Sequence, residues 1–174
     1  MTHKIDFKDQ MAFENNGQHV EEMIFKWLFN LRDKAVKEGL SSFGSLIVLG
    51  DYTSGIGEEM YQLKPKQNPI KSLMMINSKD GAKFINEFSQ APYDGAIIVN
   101  KDGQILSAGV YLKIQEIPDM PDGCGTRHMA AASFSLQRNV TSVLTLSEET
   151  SIVRVWKSGK VVKENQIKAE DKGR

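Results

Sequence analysis

Three short segments carry the side chains best suited to chemistry, and each lies where a predicted strand or helix begins or ends. Each combines a glycine or a hydroxyl residue with charged side chains, a combination that suits the binding of metal ions or phosphates. The segments are Asp94-Gly95-Ala96, Gly123-Cys124-Gly125-Thr126-Arg127-His128 and Ser147-Glu148-Glu149-Thr150.

The first segment places a carboxylate at the entry to a predicted strand. The carboxylate of Asp94 could bind a hard divalent cation or accept a proton from a hydroxyl group. Gly95 has no Cβ and would let the backbone approach a ligand closely. An ordinary turn before the strand explains the same residues without any function.

The second segment leads glycines directly into a predicted helix. Free N–H groups at a helix start favour phosphate, and the forked guanidinium of Arg127 suits phosphate oxygens. Arg127 and His128 would oppose the helix dipole unless an anion offset their charge. The alternative is a helix capped by Thr126, with both cations on the solvent face. The segment is not a Walker loop, because the Gly-Lys-Ser/Thr ending is missing.

The third segment follows a predicted strand and is acidic. Its carboxylate and hydroxyl groups, from Ser147 to Thr150, could contact a metal ion or a phosphate. The same residues would also form an ordinary polar turn, and the pattern alone leaves both interpretations open.

Other kinds of site have weaker support. Cys124, His128 and Asp94 could form a nucleophilic triad, although a lone cysteine is more often an inert small residue. The histidines at positions 3, 19 and 128 are too scattered for a zinc site, and no Gly-x-Ser-x-Gly elbow occurs.

The composition is that of an ordinary globular domain. Of the 174 residues, 40% are hydrophobic and 25% charged, and 22 cationic side chains balance 22 acidic ones. A neutral chain gives no sign of a general nucleic-acid or membrane-surface binder. The single cysteine, the lack of an apolar run of about 18 residues and the lack of a secretory core predict a cytoplasmic protein without a membrane segment. Whether the chain is a piece of a longer protein stays open.

Periodicity in the apolar residues predicts the elements that position these segments. A stripe at spacings of three and four predicts a first helix that stops at Gly39, and further helices are predicted at 79–89 and 126–137. Short apolar runs predict strands at 46–49, 96–99, 104–112 and 143–146, and a hairpin joins 152–156 to 160–163. A further apolar run covers 73–76, and 51–68 and 115–125 are predicted to be mostly loop. The stripe consists of Val20, Met23, Ile24, Trp27, Leu28, Leu31 and Ala35.

Strands and helices are interspersed without a linker or an internal repeat. We therefore predict a single α/β domain, with a central mixed β-sheet flanked by helices on both faces. We expect an irregular lead-in over 1–17, the domain over 18–165 and a charged tail over 166–174.

Read in order, the three segments resemble the diadenylate cyclase domain family, typified by the N-terminal domain of the DNA-integrity scanning protein. That family carries Asp-Gly-Ala, then Gly-Thr-Arg-His-Arg at a helix start, then Ser-Glu-Glu-Thr-Gly. The matching stretches here are 94–96, 125–129 and 147–151, and residues 107–112 are also similar. The resemblance covers roughly residues 20 to 165 and is strongest from 93 to 150.

The resemblance implies a diadenylate cyclase, which condenses two ATP molecules into cyclic di-AMP and two pyrophosphates with Mg²⁺ or Mn²⁺. It implies a homo-oligomer whose active sites meet face to face. It also implies that Asp94, Arg127 and His128 are catalytic, and that Asp94 and Glu149 hold the metal. The implied ATP-binding residues are Gly95, Ala96, Tyr111, Leu112, Gly125, Thr126, Arg127, His128, Ser147 and Glu148.

Two residues depart from the family pattern. Met129 stands in place of the second arginine, which removes one forked phosphate donor, and Ser151 replaces the final glycine. The first change leaves a second hypothesis open, a catalytically weakened module that binds or senses nucleotides through the same pocket. A third hypothesis is a structural or interaction domain without a nucleotide site.

Overall fold

A computed structural model describes residues 17–39, 43–52, 60–62, 68–90 and 92–165. The predicted lead-in, apart from Gly17, and the predicted tail over 166–174 lie outside the described residues. The predicted domain limits therefore stay predictions. Among the described residues, no helix has both the length and the apolar composition needed to cross a membrane.

Three helices and seven strands occur within the described ranges, and each predicted helix and strand corresponds to one of them. The helices are α1 (Gly17–Glu38), α2 (Lys79–Phe88) and α3 (Thr126–Phe134). The strands are β1 (Ser45–Gly50), β2 (Met60–Gln62), β3 (Ala96–Asn100), β4 (Ile105–Leu112), β5 (Val140–Leu146), β6 (Val153–Lys157) and β7 (Lys160–Asn165).

The strands form one mixed sheet in the order β2-β4-β3-β1-β5-β6-β7. Only β1 and β3 pair in parallel, and the other neighbours are antiparallel. This arrangement confirms the predicted mixed sheet. The parallel pair needs a crossover connection, which the chain between β1 and β3 supplies through β2 and α2.

Side chains alternate between the two faces of the sheet, so each face carries its own core. On the first face, Ile47 and Leu144 pack with Ile24 and Leu28 of α1 and with Ile85 of α2. The second core combines sheet residues with α3, whose small side chains let the helix lie close to the strands. It includes Val48, Ile98, Val143, Trp156, Ala131, Ala132 and Phe134. Helices on both faces confirm the predicted class.

Local signals explain where most helices begin and end. Gly39 follows α1 with φ +64°, a left-handed conformation that favours glycine and stops the helix as predicted. The side chain of Ser78 accepts a hydrogen bond from Gly81 N at 3.0 Å and caps α2. Helix α3 ends earlier than predicted, because the residues after Phe134 form tighter turns toward β5. The run at 73–76 forms only an isolated bridge, between Met75 and Gln104.

The sheet register brings the first and third segments to one end of the sheet, and β4, which leads to the second segment, ends there too. Ile47 lies beside Ile97 in the parallel pair, so β1 and β3 start at the same end of the sheet. Ser45 lies opposite Leu146, and therefore β5 finishes where β1 starts. Ala96 lies opposite Val110, which brings the end of β4 to the same place. We call this end of the sheet the site edge.

Candidate active site

A cleft with a volume of about 320 Å³ opens at the site edge, between the strands and the start of α3. This volume falls in the range of small-molecule sites. Six of the predicted site residues line the cleft together: Asp94, Gly95, Tyr111, Leu112, Thr126 and Arg127. The other lining residues are Leu46, Val110, Ile114 and Ala130.

The cleft has an apolar side and a polar side. Val110, Leu112 and Ile114 supply apolar surface from the end of β4 and the loop after it, and Tyr111 is exposed beside them. Asp94, Thr126 and Arg127 supply charged and polar groups. A flat apolar ring suits the first side, and an anion with a metal ion suits the second.

Asp94 lies exposed at the entry to β3, as its sequence position predicted. One carboxylate oxygen, Oδ1, accepts a hydrogen bond from Gly95 N at 2.7 Å. Gly95 has φ +93°, so the turn that presents the carboxylate needs a glycine. This bond occupies one oxygen, and the other carboxylate oxygen bonds to no other described residue.

Arg127, on the first turn of α3, lines the same cleft as Asp94. Among the described residues, it makes no hydrogen bond or ion pair, and no ion pair within 4.0 Å joins it to Asp94. A guanidinium and a carboxylate that share a cleft without pairing leave both groups for a ligand. The two residues also line a narrow recess next to the cleft, with Gly44, Ser45 and Tyr93.

The start of α3 offers open backbone donors. The N-cap is Gly125, and no side chain caps the helix, so the alternative of a cap by Thr126 is wrong. The N–H groups of His128 and Met129 bond to Gly125 O at 3.0 and 3.1 Å. The earlier N–H groups of the helix are therefore left for an anion at this end.

The side chain of His128 lies on the opposite side of α3 from the cleft. The imidazole is buried, its ring centroid is 5.9 Å from that of Trp156, and Nε2 lies 3.2 Å from Nη1 of Arg154. Burial, together with the charges of Arg154 and Arg127, lowers the pKa of His128 to about 4. Contrary to the expectation, the imidazole does not line the cleft, because it packs between α3 and β6.

The remaining predicted residues also lie outside the cleft lining. Ala96 is fully buried in the second core. Ser147 is buried at the end of β5, where its hydroxyl accepts a hydrogen bond from Thr150 N at 3.2 Å. Glu148 and Glu149 are exposed on the following turn, at the same site edge. Cys124 packs at the margin of the second core, and among the described residues no hydrogen bond joins it to His128 or Asp94, so the structure does not assemble the triad.

The described side chains alone do not form a metal-binding cluster. In the part of the chain that the structure describes, no group of three or more His, Cys, Asp or Glu side chains could hold a metal ion. Asp94 is the one carboxylate among the described residues that line the cleft, and Glu149 lies on the turn after β5.

Sequence reasoning missed Gly44, Ser45 and Leu46 at the start of β1. They reach the site only because β1 pairs with both β3 and β5. The structure buries the side chain of His128 outside the cleft, and the sequence carries a signal for this burial. His128, Ala131 and Ala132 recur at spacings of three and four, which marks the buried side of a helix.

The fold and the cleft define an α/β domain that can receive an anionic ligand at a helix start. The family model described as "DAC: DisA bacterial checkpoint controller nucleotide-binding" matches residues 34–161. The chain therefore belongs to the diadenylate cyclase (DAC) domain family, as its three segments predicted.

Individual relatives agree with this assignment. The chain is 30% identical to a diadenylate cyclase from Methanocaldococcus jannaschii, over 92% of this chain and 56% of that protein. It is 35% identical to a diadenylate cyclase from Haloferax volcanii, over 70% of this chain and 44% of that protein. The chain thus spans about half the length of the curated relatives it matches.

A solved structure shares the fold. The crystal structure of a double mutant of DacA from Staphylococcus aureus has a TM-score of 0.54 and 20% sequence identity. The match covers 88% of this chain and 90% of that chain. At this identity, the similarity supports the fold alone.

Proposed function

We propose that the chain is a diadenylate cyclase, which condenses two ATP molecules into cyclic di-AMP and two pyrophosphates. Membership of the DAC family and the names of its relatives support this proposal. The observation that carries it is the pair Asp94 and Arg127, which share one cleft at the start of α3 without forming an ion pair.

ATP binding in this proposal uses both sides of the cleft. The adenine lies against the apolar side, beside Tyr111 and Leu112. The phosphates lie at the start of α3, where Thr126, Arg127 and the open N–H groups provide donors. Glu148, exposed on the turn after β5, would contact the outer part of the nucleotide, and buried Ser147 would hold this turn through its bond to Thr150 N.

The chemistry consists of two equivalent substitutions at phosphorus. The 3′-hydroxyl oxygen of one ATP forms a bond to the α-phosphorus of the other, and the bond from that phosphorus to the oxygen bridging to the β-phosphate breaks. The hydroxyl proton passes to a base, and the electron pair of the broken bond leaves with pyrophosphate. In this proposal Asp94 acts as that base, and Arg127 stabilises the negative charge that develops on the phosphates.

Asp94 offers one carboxylate in the cleft to a metal ion that arrives with the substrate. Mg²⁺ is usually held by one or two carboxylates together with substrate phosphates. Asp94 offers the carboxylate oxygen that does not accept from Gly95 N, and Glu149 would supply the second carboxylate. When bound, Mg²⁺ or Mn²⁺ would polarise the phosphoryl oxygens and offset their developing charge.

Self-association follows from the reaction. One chain provides one cleft with one copy of Asp94 and Arg127, whereas cyclic di-AMP needs two ATP molecules that attack each other. We propose that two chains meet with their clefts facing, as a homo-oligomer. We place the reaction in the cytoplasm, where cells hold ATP.

The product assay tests the proposal. Incubation with ATP and Mn²⁺ should yield cyclic di-AMP and pyrophosphate, separated by chromatography, and the rate should rise more steeply than linearly with protein concentration at high dilution. ATP converted to ADP or AMP without a cyclic dinucleotide would contradict a cyclase.

A weakened module that binds or senses nucleotides is the second candidate, because Met129 replaces the second arginine of the family pattern. It predicts stabilisation by ATP and metal without product. A ligand at about one hundred times its dissociation constant adds about 2.7 kcal/mol to the free energy of unfolding. A structural or interaction domain predicts neither stabilisation nor product.

A further inference from the structure

Gly44, the residue before β1, lies directly against the guanidinium of Arg127. A Cβ placed on Gly44 would lie 2.9 Å from Cζ and 3.1 Å from Nη2 of Arg127, and closer still to Nη1. Carbon atoms in proteins normally stay about 3.5 Å or more apart. Arg127 therefore occupies the space that any other side chain at position 44 would fill.

The limited space around position 44, and not the backbone conformation, explains why a glycine occurs there. The φ angle of Gly44 is outside the left-handed region, so another residue could adopt this backbone without strain. Gly39 and Gly95, in contrast, have positive φ angles of +64° and +93°. A glycine at position 44 is thus required by the adjacent guanidinium of Arg127.

The backbone at Gly44 cannot easily withdraw from Arg127. Its N–H donates to Ser89 O at 3.0 Å, at the end of α2. The next residue, Ser45, is buried and begins the central strand β1, where it lies opposite Leu146. An added side chain would therefore displace the guanidinium, which is at the far end of a flexible side chain, and leave the strand in place.

We propose that Gly44 is a positioning residue, which provides the surface on which the Arg127 guanidinium rests between the cleft and the adjoining recess. Both cavities include Arg127 and Asp94 in their lining, and Gly44 lines the recess. The role assigned to Arg127 toward phosphate rests on the proposed function. The steric dependence of Arg127 on Gly44 does not.

A double-mutant cycle tests the proposal, with Gly44→Ala and Arg127→Ala made singly and together. Isothermal titration calorimetry with 3′-deoxy-ATP, which cannot cyclise, and Mn²⁺ should give about 10-fold weaker binding for Gly44→Ala alone. In the Arg127→Ala background, the same substitution should change the dissociation constant by less than about 2-fold, because the displaced group is gone. The melting temperature should change little in each case.

The matched control is Gly17→Ala, at the start of α1, where a Cβ would make only ordinary contacts at 3.5 and 3.6 Å. It should leave ATP binding unchanged. A Gly44→Ala effect of equal size with and without Arg127, or no effect at all, would overturn the positioning role.

A ligand-free measurement separates this inference from the proposed function. The Arg127 Nε–Hε signal in a ¹⁵N NMR spectrum, assigned through Arg127→Lys, should shift in Gly44→Ala and stay in place in Gly17→Ala. If the signal shifts but the chain makes no cyclic di-AMP, the proposed cyclase activity is wrong and the role of Gly44 stands. An unmoved signal would contradict the role of Gly44 alone.

Discussion

Arg154 donates a hydrogen bond from Nη1 to Nε2 of His128 over 3.2 Å, and this contact defines the state of the imidazole. An arginine can only donate, so Nε2 must accept and the imidazole proton lies on Nδ1. The pair is extended by an ion pair of 2.6 Å between Arg154 and Glu164 of β7. His128 therefore links α3 to β6 as a neutral group. Of the two basic residues at the start of α3, Arg127 alone carries a positive charge.

The low pKa of His128 predicts a loss of stability in acid. In the unfolded chain the imidazole takes up its proton near pH 6.5, whereas in the folded protein it does so near its pKa of about 4. The contribution of neutral His128 to the free energy of unfolding is thus complete above pH 6.5 and is lost as the pH falls toward 4. At about 1.4 kcal/mol per pH unit, the free energy of unfolding should fall by about 3 kcal/mol at most.

Urea unfolding of the protein and of His128→Gln, measured between pH 7 and pH 4, checks this expectation. Glutamine keeps an acceptor for Arg154 and removes the titrating group, so the pH slope of the variant should be shallower. If the free energies of unfolding of both proteins change with pH at the same slope, His128 is not the group responsible for the acid destabilisation. Carboxylates that titrate in the same window affect both proteins equally and cancel in the difference.

Asp94→Asn should abolish cyclic di-AMP formation, with a loss of at least about 100-fold. The amide keeps an acceptor for Gly95 N and the side chain is exposed, so the melting temperature should stay nearly constant. Asp102→Asn is the matched control, since Asp102 is an exposed carboxylate in the β3–β4 turn. Product formed at the normal rate by Asp94→Asn would remove this carboxylate from the mechanism.

Arg127→Lys should weaken ATP binding by about 10-fold, although it keeps the positive charge. Lysine is a point charge and cannot give two parallel hydrogen bonds to a phosphate. Because Arg127 has no partner among the described residues, the change should not destabilise the fold. Arg138→Lys, at an exposed position after α3, serves as the control, and equal ATP affinities for both variants would contradict the proposal.

Much of the fold could be predicted because its local signals are strong. The Asn100–Gly103 turn is a clear case: Asn100 Oδ1 accepts from Gln104 N at 2.9 Å, and Gly103 has φ +84°. The hairpin of β6 and β7 turns through Ser158 and Gly159, both with positive φ. Signals of this kind depend on neighbours in sequence, and they are visible without the fold.

The order of the strands could not be predicted from such signals. The parallel pairing of β1 with β3 and the antiparallel pairing of β1 with β5 depend on how two layers of helices pack over the sheet. Gly44 acquires its neighbours, Ser89 and Arg127, only through these pairings. The motifs therefore indicated Asp94 and Arg127 correctly as neighbours, but not the residue that lies beneath Arg127.

Position 129 offers a test of gained function. Residues three apart on a helix are neighbours, so Met129 lies next to Thr126, which lines the cleft. The family pattern has an arginine here, and Met129→Arg would return a forked donor near the phosphates. The half-buried position lets a long side chain extend toward the helix start, since helical side chains point toward the N-terminus.

We therefore expect Met129→Arg to tighten ATP binding by about 3- to 10-fold, or to raise the rate of cyclic di-AMP formation by a similar factor. Calorimetry and the product assay measure the two effects separately. Gln137→Arg adds the same charge beyond the end of α3 and should change neither. If Met129→Arg is neutral or harmful while the variant remains folded, the surroundings of Met129 have adapted to methionine, and the missing arginine does not limit the site.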